Sequence, residues 1–415
     1  MRAWHRSITL YFALTGVVLA SWMVRVPEIK TLTRVRTDEL GLILLAGGLG
    51  ALVALVASNR IIERFGTKPA LVVGFSVFVT CIAAAGFSAA AHMGILVAVF
   101  LFVGWFGVGL ADVAQNVDGS QLEQLEGRSL MPRLHASYSL GTLIGAGIGA
   151  LNAAFRVALE WQMFAVLPLA AVLIALTYRH IPSGTGKVAE GLASGNAPDR
   201  AAGEGSTGEP KPAARQSSLR LLFGSNLLLL GLGIFAITLV EGASNDWLAL
   251  ALVDNYGASP ANGGVGYACL VGAMTITRFF GGNLVDRWGR DVVLRRAAWV
   301  GVAGILVIIL GQTWFGDTAL YVAWGASALW GVGVALAFPL FLSAAGEGAE
   351  SARRVALVAT CGYTAFLVGP PALGFLGQSI GLLGMFWVLA GCLVVAAFVA
   401  RGAKPQSHET PVAQQ

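Results

Sequence analysis

Charged side chains are scarce in this sequence of 415 residues: they make up 12% of the total, whereas 56% of the residues are hydrophobic. A water-soluble domain of ordinary composition carries about 25% charged residues, because most of its surface faces water. The mean hydropathy of +0.73 points the same way. We therefore expect a membrane protein and not a soluble enzyme.

Sequence motifs of common enzyme and metal sites are also missing. The sequence contains no G-x-x-x-x-G-K-[ST], H-E-x-x-H, C-x-x-C or G-x-S-x-G. Its five histidines are scattered, and its four cysteines fall within apolar runs, where a disulfide framework has no use. We expect no enzymatic activity, no cofactor and no bound metal, and an ion gradient rather than ATP as the source of energy.

Long apolar runs are what the sequence has in abundance. A helix needs about 20 apolar residues to cross ~30 Å of hydrocarbon. Continuous runs such as residues 96–110 do not show the alternation of β-barrel strands. The predicted spans cover residues 8–26, 40–58, 69–88, 94–116, 132–152, 161–178, 219–241, 262–282, 293–311, 319–341, 355–376 and 381–400. We expect an all-α integral membrane protein with twelve transmembrane helices.

A polar segment divides these spans into six and six. Residues 181–218 contain no aromatic residue and are rich in Gly, Pro, Ala and Ser, a composition that cannot bury enough apolar surface to fold. The predicted organisation is an N-terminal six-helix bundle at 1–180, a disordered cytoplasmic linker at 181–218, a C-terminal six-helix bundle at 219–400 and a cytoplasmic tail at 401–415.

Lysine and arginine are distributed unequally between the two sides of this predicted bundle. With the N-terminus inside, the inner segments hold 21 of the 27 basic residues and the outer loops hold 4. Short loops with an excess of positive charge face the cytoplasm. We expect both termini in the cytoplasm of a multi-pass plasma-membrane protein, and the net charge of +5 does not indicate a nucleic-acid partner.

The two halves of the sequence are similar to each other. Gly66 in the loop after predicted helix two and Gly289 in the loop after helix eight are 223 residues apart, and Gly145 and Gly369 are 224 apart. The charged and glycine residues of the two loops are Glu63, Arg64 and Gly66 in the first and Asp286, Arg287, Gly289 and Arg290 in the second. Repeated halves are typical of secondary transporters whose substrate site lies between them.

The twelve helices, the division into six and six and the loop pattern similar to G-x-x-x-D-R-x-G-R-R resemble the major facilitator superfamily over essentially the whole chain. The first loop departs from the pattern at Asn59, Glu63 and Thr67. The resemblance implies cytoplasmic gating by these loops; alternatively, their charges only set topology. We expect Arg278, in the inner half of helix eight, to pair with an acid near the cytoplasmic mouth.

A narrower resemblance rests on Leu110-Ala-Asp112-Val-Ala-Gln-Asn116 and on His135-Ala-Ser-Tyr-Ser-Leu-Gly141, which are similar to the fucose-permease-like branch of sugar:proton symporters. The segments Arg25-Val-Pro27 and Glu241-Gly-Ala-Ser-Asn-Asp246-Trp247 look like the YbjJ-like inner-membrane proteins. This resemblance implies a bacterial inner-membrane location and a small polar substrate.

Asp112 and Asn116 are one helical turn apart and should share a face directed into the bundle. Ionisable groups at membrane depth are expensive, so they invite a functional explanation. A carboxyl group that is alternately hydrated and dehydrated can take up and release a proton, which proton coupling requires. His135 could relay protons to Asp112, or it could be an ordinary polar residue at a helix end. Asp112 could likewise have a structural role.

Arg25 and the Glu241–Trp247 segment are predicted at the outer ends of helices one and seven. Arg25 could close on Glu241 or Asp246 as an outer gate, or its side chain could reach the headgroups. Trp22 and Trp247 could stack against a sugar, or they could belong to the interfacial aromatic belt.

Glycine and proline indicate how the helices pack. Gly141, Gly145 and Gly149 recur every four residues and predict a smooth face for close helix contact. Pro339 and the Pro370–Pro371 pair predict bends in helices ten and eleven.

The leading functional hypothesis from the sequence is a proton symporter for a small polar solute, with a sugar or polyol favoured by the resemblance. The alternatives are a proton-coupled efflux antiporter for amphipathic compounds and a membrane receptor that transports nothing. The expected partners are the solute, protons and the lipid bilayer, and we expect a monomer.

Overall fold

The computed structural model describes residues 1–127, 130–186, 226–347 and 351–404, and this part of the chain is helical with short connections. In the first half the helices are α1 (Arg2–Val24), α2 (Val26–Thr33), α3 (Thr37–Phe65), α4 (Thr67–Ala90), α5 (Gly94–Glu126), α6 (Met131–Ala154), α7 (Leu159–Phe164) and α8 (Val166–Thr177). In the second half they are α9 (Leu227–Tyr256), α10 (Pro260–Trp288), α11 (Arg290–Phe315), α12 (Ala319–Val334), α13 (Ala337–Ala345), α14 (Ser351–Ile380) and α15 (Leu382–Val399).

These helices form twelve transmembrane spans. Ten described segments are long and apolar enough to cross a membrane, and one of them, Arg290–Ala345, contains two spans, α11 and the α12–α13 pair. Helix α6, with 24 residues, supplies the remaining span. The chain is an all-α membrane protein of two six-helix bundles, as the sequence predicts. The terminus side is the face that holds Met1 and Lys404, the first and last described residues, and the far side is the opposite face.

The two halves repeat each other in structure as well as in sequence. The 223-residue offset converts the bounds of α3 into those of α10, and the first residue of α4 into that of α11. The halves meet through α3 against α14 and α6 against α10. These two contacts are equivalent under the repeat, since α6 corresponds to α14. The interface therefore has the pseudo-twofold arrangement that the sequence repeat predicts.

The repeated loop glycines end their helices in a backbone conformation that other residues rarely adopt. Gly66 has φ +88° and ψ 168°, and Gly289 has φ +79° and ψ 152°. A positive φ is strained for residues with a Cβ atom. This requirement explains why a glycine stands at the same place in both copies.

Two spans are interrupted by short breaks in the helix. Helix α1 ends at Val24 and α2 starts at Val26. Pro27 lies in the first turn of α2, where backbone N–H groups have no partner within the helix, so its missing N–H costs no hydrogen bond. The tenth span breaks between Val334 and Ala337, and Pro339 follows in the first turn of α13. A break takes the place of the bend predicted at Pro339. Pro370 and Pro371 lie inside the continuous helix α14.

The seventh span is displaced from its predicted position. The prediction was 219–241, but α9 runs from Leu227 to Tyr256, so Glu241 lies at mid-helix and not at an outer end. The polar run from Glu241 to Asp246 was interpreted as a helix end. The run is helical in the structure, and Glu241 is paired inside the protein. The predicted linker at 181–218, beyond residue 186, and the tail beyond residue 404 lie outside the described residues.

Candidate functional site

Direct contacts join the two halves on the far side. Lys30 at the end of α2 forms an ion pair of 2.7 Å with Asp254 in α9. The Thr37 backbone amide donates a 3.1 Å hydrogen bond to the side-chain oxygen of Gln378. Gly41 lies against the backbone of Pro370, so closely that an added methyl group would be 2.6 Å from the Pro370 carbonyl oxygen. The interface between the halves is closed on this side.

A cavity of about 360 Å³ lies between the halves below these contacts. Helices α3 and α5 of the first half and α9 and α14 of the second supply its walls. Its polar and aromatic lining residues are Trp105, Asp112, Asn245, Asp246, Tyr363 and Phe366. The Asp112 side chain is exposed, and since the far side is closed, we infer that it meets solvent from the terminus side.

Asp112 forms a polar cluster with its neighbours in α5. The side-chain amide of Gln115 donates a 2.9 Å hydrogen bond to its carboxylate. Asn116 donates to the Asp112 backbone carbonyl at 2.8 Å and to the carboxylate at 3.3 Å. The two residues therefore share a face, as predicted, and Asp112 lines the cavity. Asn116 contacts Asp112 and is not among the residues that line the cavity.

His135 of α6 lies near Asp112 without bonding to it. Its ring packs edge-on to Phe12, at 5.3 Å between centroids, and it interacts electrostatically with the Asp112 carboxylate. The described side chains show no hydrogen bond between the two. A proton relay through His135 stays a prediction.

Glu241 and Arg278 form an ion pair within the second half. Arg278 donates to the Glu241 carboxylate at 2.9 Å and, through Nε, to the Ala335 carbonyl at 3.0 Å. Ala335 lies in the break between α12 and α13, where backbone carbonyls lose their helical partners. The expectation of a partner near the cytoplasmic mouth for Arg278 is wrong, because the acid that it reaches is at mid-helix.

Tyrosines connect the polar groups of the two halves. Tyr138 in α6 interacts electrostatically with Asp112 of its own half and with Glu241 and Arg278 of the other. Tyr267 in α10 donates a 3.0 Å hydrogen bond to the Asn245 side-chain oxygen. Polar groups of α5, α6, α9 and α10 therefore lie within electrostatic range of one another where the two halves meet.

Arg25 does not form the predicted outer gate. Its side chain is 1% exposed and stays within the first half, where it donates to Glu28 at 2.6 Å, to the Val157 carbonyl at 2.8 Å and to Gln162. Both interpretations, a bond to Glu241 or Asp246 and an extension to the headgroups, are therefore wrong in this conformation. A buried guanidinium needs several acceptors. Glu28 supplies one from α2, and Val157 and Gln162 supply the others from the segment before α7 and from α7 itself.

Trp22 and Trp247 do not face the cavity either. Both are 0% exposed, which is inconsistent with solute stacking in this conformation and with the interfacial belt. Trp22 packs edge-on to Trp105, at 6.5 Å between centroids, and Trp105 is the tryptophan in the cavity wall. The tryptophan that lines the cavity is therefore on α5, and neither of the two predicted tryptophans lines it.

The loop residues differ between the two copies. Glu63 and Arg64 in the first and Asp286 and Arg287 in the second are exposed, and none of these four forms an ion pair within the described chain. Arg290 instead is buried, pairs with Glu347 at 2.5 Å and donates to the Ala403 carbonyl. A structural role at the end of the second half fits Arg290. Gating by the other loop residues stays a prediction.

Comparisons with known proteins agree with this architecture. The model of the Major Facilitator Superfamily matches residues 8–354. The chain belongs to the major facilitator superfamily. Among curated relatives, an uncharacterized transporter of Sinorhizobium fredii, y4wD, is 30% identical, covering 95% of this chain and 96% of the relative. The membrane protein MosC of Rhizobium meliloti is 25% identical, covering 95% of this chain and 89% of that protein.

Solved structures of the superfamily share the fold at low sequence identity. The nucleoside transporter NupG superposes with a TM-score of 0.71 at 11% identity, over 97% of this chain and 99% of that one. A D-xylose-proton symporter gives 0.70 at 15% identity, over 97% and 98%. The Escherichia coli fucose:proton symporter FucP gives 0.55 at 15% identity, over 96% and 98%. These similarities establish the fold, and the sequence predicts the same superfamily.

Sequence reasoning missed several polar and aromatic residues in or near the cavity. Trp105, Tyr138, Asn245 and Tyr267 were not selected, although Tyr138 lies inside the segment that carries the narrower resemblance. A signal existed for Asn245, since Gly242, Asn245 and Asp246 have the three- and four-residue spacing of one helix face. It was hidden by the misplaced end of the seventh span.

Proposed function

We propose that this superfamily member is a secondary active transporter that carries a small polar solute by alternating access, in symport with protons. The observation that carries the proposal is Asp112, an exposed carboxylate in a cavity between two pseudo-symmetric halves that are closed on the far side. A sugar or polyol is the favoured class of solute, supported by two similar structures that are sugar symporters, the D-xylose-proton symporter and the fucose:proton symporter FucP.

The chemistry of the cavity fits proton-coupled transport. Asp112 carries the coupling proton and is reached from the terminus side in this conformation. Rearrangement of the halves around α3–α14 and α6–α10 then exposes the same carboxylate to the far side. Tyr138 is within electrostatic range of Asp112 in its own half and of the Glu241–Arg278 pair in the other, which supports coupling between the two halves. The chain works as a monomer in the bacterial inner membrane, with both termini in the cytoplasm.

Replacement of Asp112 by Asn tests the coupling role. In proteoliposomes, Asp112→Asn should abolish uphill accumulation of solute while exchange of labelled for unlabelled solute continues, because exchange requires no net proton movement. Asp118→Asn is the matched control: Asp118 is in the same helix but accepts a 2.7 Å hydrogen bond from Thr67, which an Asn oxygen can still accept. Undiminished accumulation in Asp112→Asn would refute the assignment.

The apolar part of the cavity favours one second candidate, an efflux antiporter for amphipathic compounds. Leu44, Leu52, Leu55 and Leu367 line the cavity beside its polar residues. The direction of proton movement distinguishes the two functions. In everted vesicles whose interior has been acidified by respiration, the substrate of an antiporter dissipates the proton gradient and accumulates inside the vesicles. The substrate of a symporter does not accumulate there.

A further inference from the structure

The carboxylates around the cavity differ in the partners that the protein gives them. Glu241 is paired with Arg278. Asp112 accepts hydrogen bonds from Gln115 and Asn116 and has His135 within electrostatic range. Asp246 lines the same cavity, and among the described residues it forms no hydrogen bond and no ion pair. Asp246 is therefore the acid whose charge the protein leaves without a partner.

An unpartnered carboxylate at mid-membrane is unfavourable. Buried charges are normally paired and hydrogen-bonded, because a charge that leaves water loses its hydration. Acids within transmembrane helices are rare for this reason, and they are almost always paired or directed into a cavity. Asp246 is half-buried in the cavity wall, so a positively charged group that entered the cavity would supply the missing partner.

The remaining cavity wall suits a cation that also carries hydroxyl groups. Trp105, Tyr363 and Phe366 present aromatic rings to the cavity, and aromatic faces attract ammonium groups. No lysine or arginine is among the lining residues of the described cavity. Tyr267 donates to the oxygen of the Asn245 amide, which leaves the amide nitrogen to donate to a solute oxygen. Asn245 and Asp246 are adjacent, so the two contacts can be made to one small molecule.

We infer that the transported solute carries a protonated amine and that Asp246 binds it, with Asn245 contacting a hydroxyl group of the same molecule. This inference rests on the proposed function as a transporter of small polar solutes and narrows the solute to amine-bearing polyols and sugars. A neutral sugar would leave the Asp246 carboxylate unpaired and would desolvate it in addition.

Matched pairs of solutes test the inference directly. We would measure binding of glucose and glucosamine, galactose and galactosamine, and sorbitol and 1-amino-1-deoxysorbitol to the purified full-length protein by tryptophan fluorescence. The amine of at least one pair should bind about tenfold or more tightly than its neutral partner, equivalent to ~1.4 kcal/mol. In Asp246→Asn this ratio should fall to about one, whereas Glu160→Gln, which removes a negative charge from α7 outside the cavity, should keep it.

The possible outcomes separate the inference from the proposed function. Equal or tighter binding of every neutral partner, failure of every amine to bind, or an amine preference that persists in Asp246→Asn would overturn the inference. Counterflow in proteoliposomes reports on the function independently. If neutral solutes are carried without any amine preference, the protein is a transporter and the amine assignment is refuted. If an amine binds through Asp246 but is never carried, the amine assignment holds and the proposed transport function is refuted. Asp246→Glu, which keeps the charge, should retain part of the preference and excludes misfolding as the cause.

Discussion

Individual glycines set how closely the helices of the first half approach. A methyl group added at Gly145 of α6 would lie 2.2 Å from the Val17 carbonyl oxygen of α1, and one added at Gly141 would lie 2.1 Å from that of Ala13. Gly147, on the same helix, has open space where its methyl group would point. The predicted smooth face of α6 is therefore confirmed as a backbone contact with α1.

Replacing these glycines by alanine should distinguish the effect of close helix packing on stability from the effect of helix propensity. Gly145→Ala should destabilise the protein by about 1–3 kcal/mol, the usual effect of overpacking, and lower its melting temperature in detergent. Gly147→Ala serves as the control, because it should be neutral or stabilising by up to ~1 kcal/mol through helix propensity alone. Equal melting temperatures for the two variants would contradict the close contact.

Residue types could be predicted from the sequence, but their partners could not. Asp112 and Asn116 were found because helical spacing alone brings them together. The partners of Arg25 and Arg278 depend on which elements pack around them: Arg25 meets Gln162, 137 positions along the chain, and Arg278 meets Glu241, 37 positions away. No local pattern encodes such pairings.

At the scale of elements, α2 and α9 form a contact between the halves. The Lys30–Asp254 pair joins these two helices on the far side, with side-chain exposures of 21% and 37%. Partly exposed ion pairs stabilise by about 0.2–1 kcal/mol, which is enough to shift an equilibrium between two conformations by up to about fivefold. The pair therefore biases the protein towards the far-side-closed state without locking it there.

Charge reversal should reveal this bias. In a protein whose four native cysteines have been replaced, Lys30→Asp should increase the rate at which a cysteine at position 245 reacts with an impermeant maleimide from the far side. The double variant Lys30→Asp with Asp254→Lys should bring the rate back towards that of the parent, and Lys30→Arg should leave it nearly unchanged. A rate that does not respond to Lys30→Asp would mean that the pair has no influence on opening.

Span positions followed from hydropathy wherever a helix was uniformly apolar. The exception was α9, since Glu241, Asn245 and Asp246 lower the hydropathy of its middle. A window of hydropathy cannot distinguish a polar residue that ends a span from one that faces a cavity in a continuing helix. The break at Ala335 was likewise invisible, because the carbonyl group that it frees is bonded by Arg278 from a different helix.

At the scale of the whole molecule, the internal repeat could be predicted from the sequence. The repeat is confirmed by helix bounds that coincide after a shift of 223 residues.

The orientation follows from basic residues on the terminus side and stays a prediction. Reporter fusions test this orientation, because alkaline phosphatase is active only outside the cytoplasm and green fluorescent protein fluoresces only inside the cytoplasm. Green fluorescent protein fused after Lys404 should fluoresce, and phosphatase inserted at His92, between α4 and α5, should be active. The opposite pattern would reverse the topology.

The close backbone contact between Gly41 and Pro370 has a consequence for the resting protein. Where two backbones touch, no file of water molecules fits between them, and without such a file protons cannot hop across the membrane. A cell that keeps many idle copies of this protein in an energised membrane thus avoids a leak current through them. The small residues on the far side thus act as a barrier to protons as well as a packing contact.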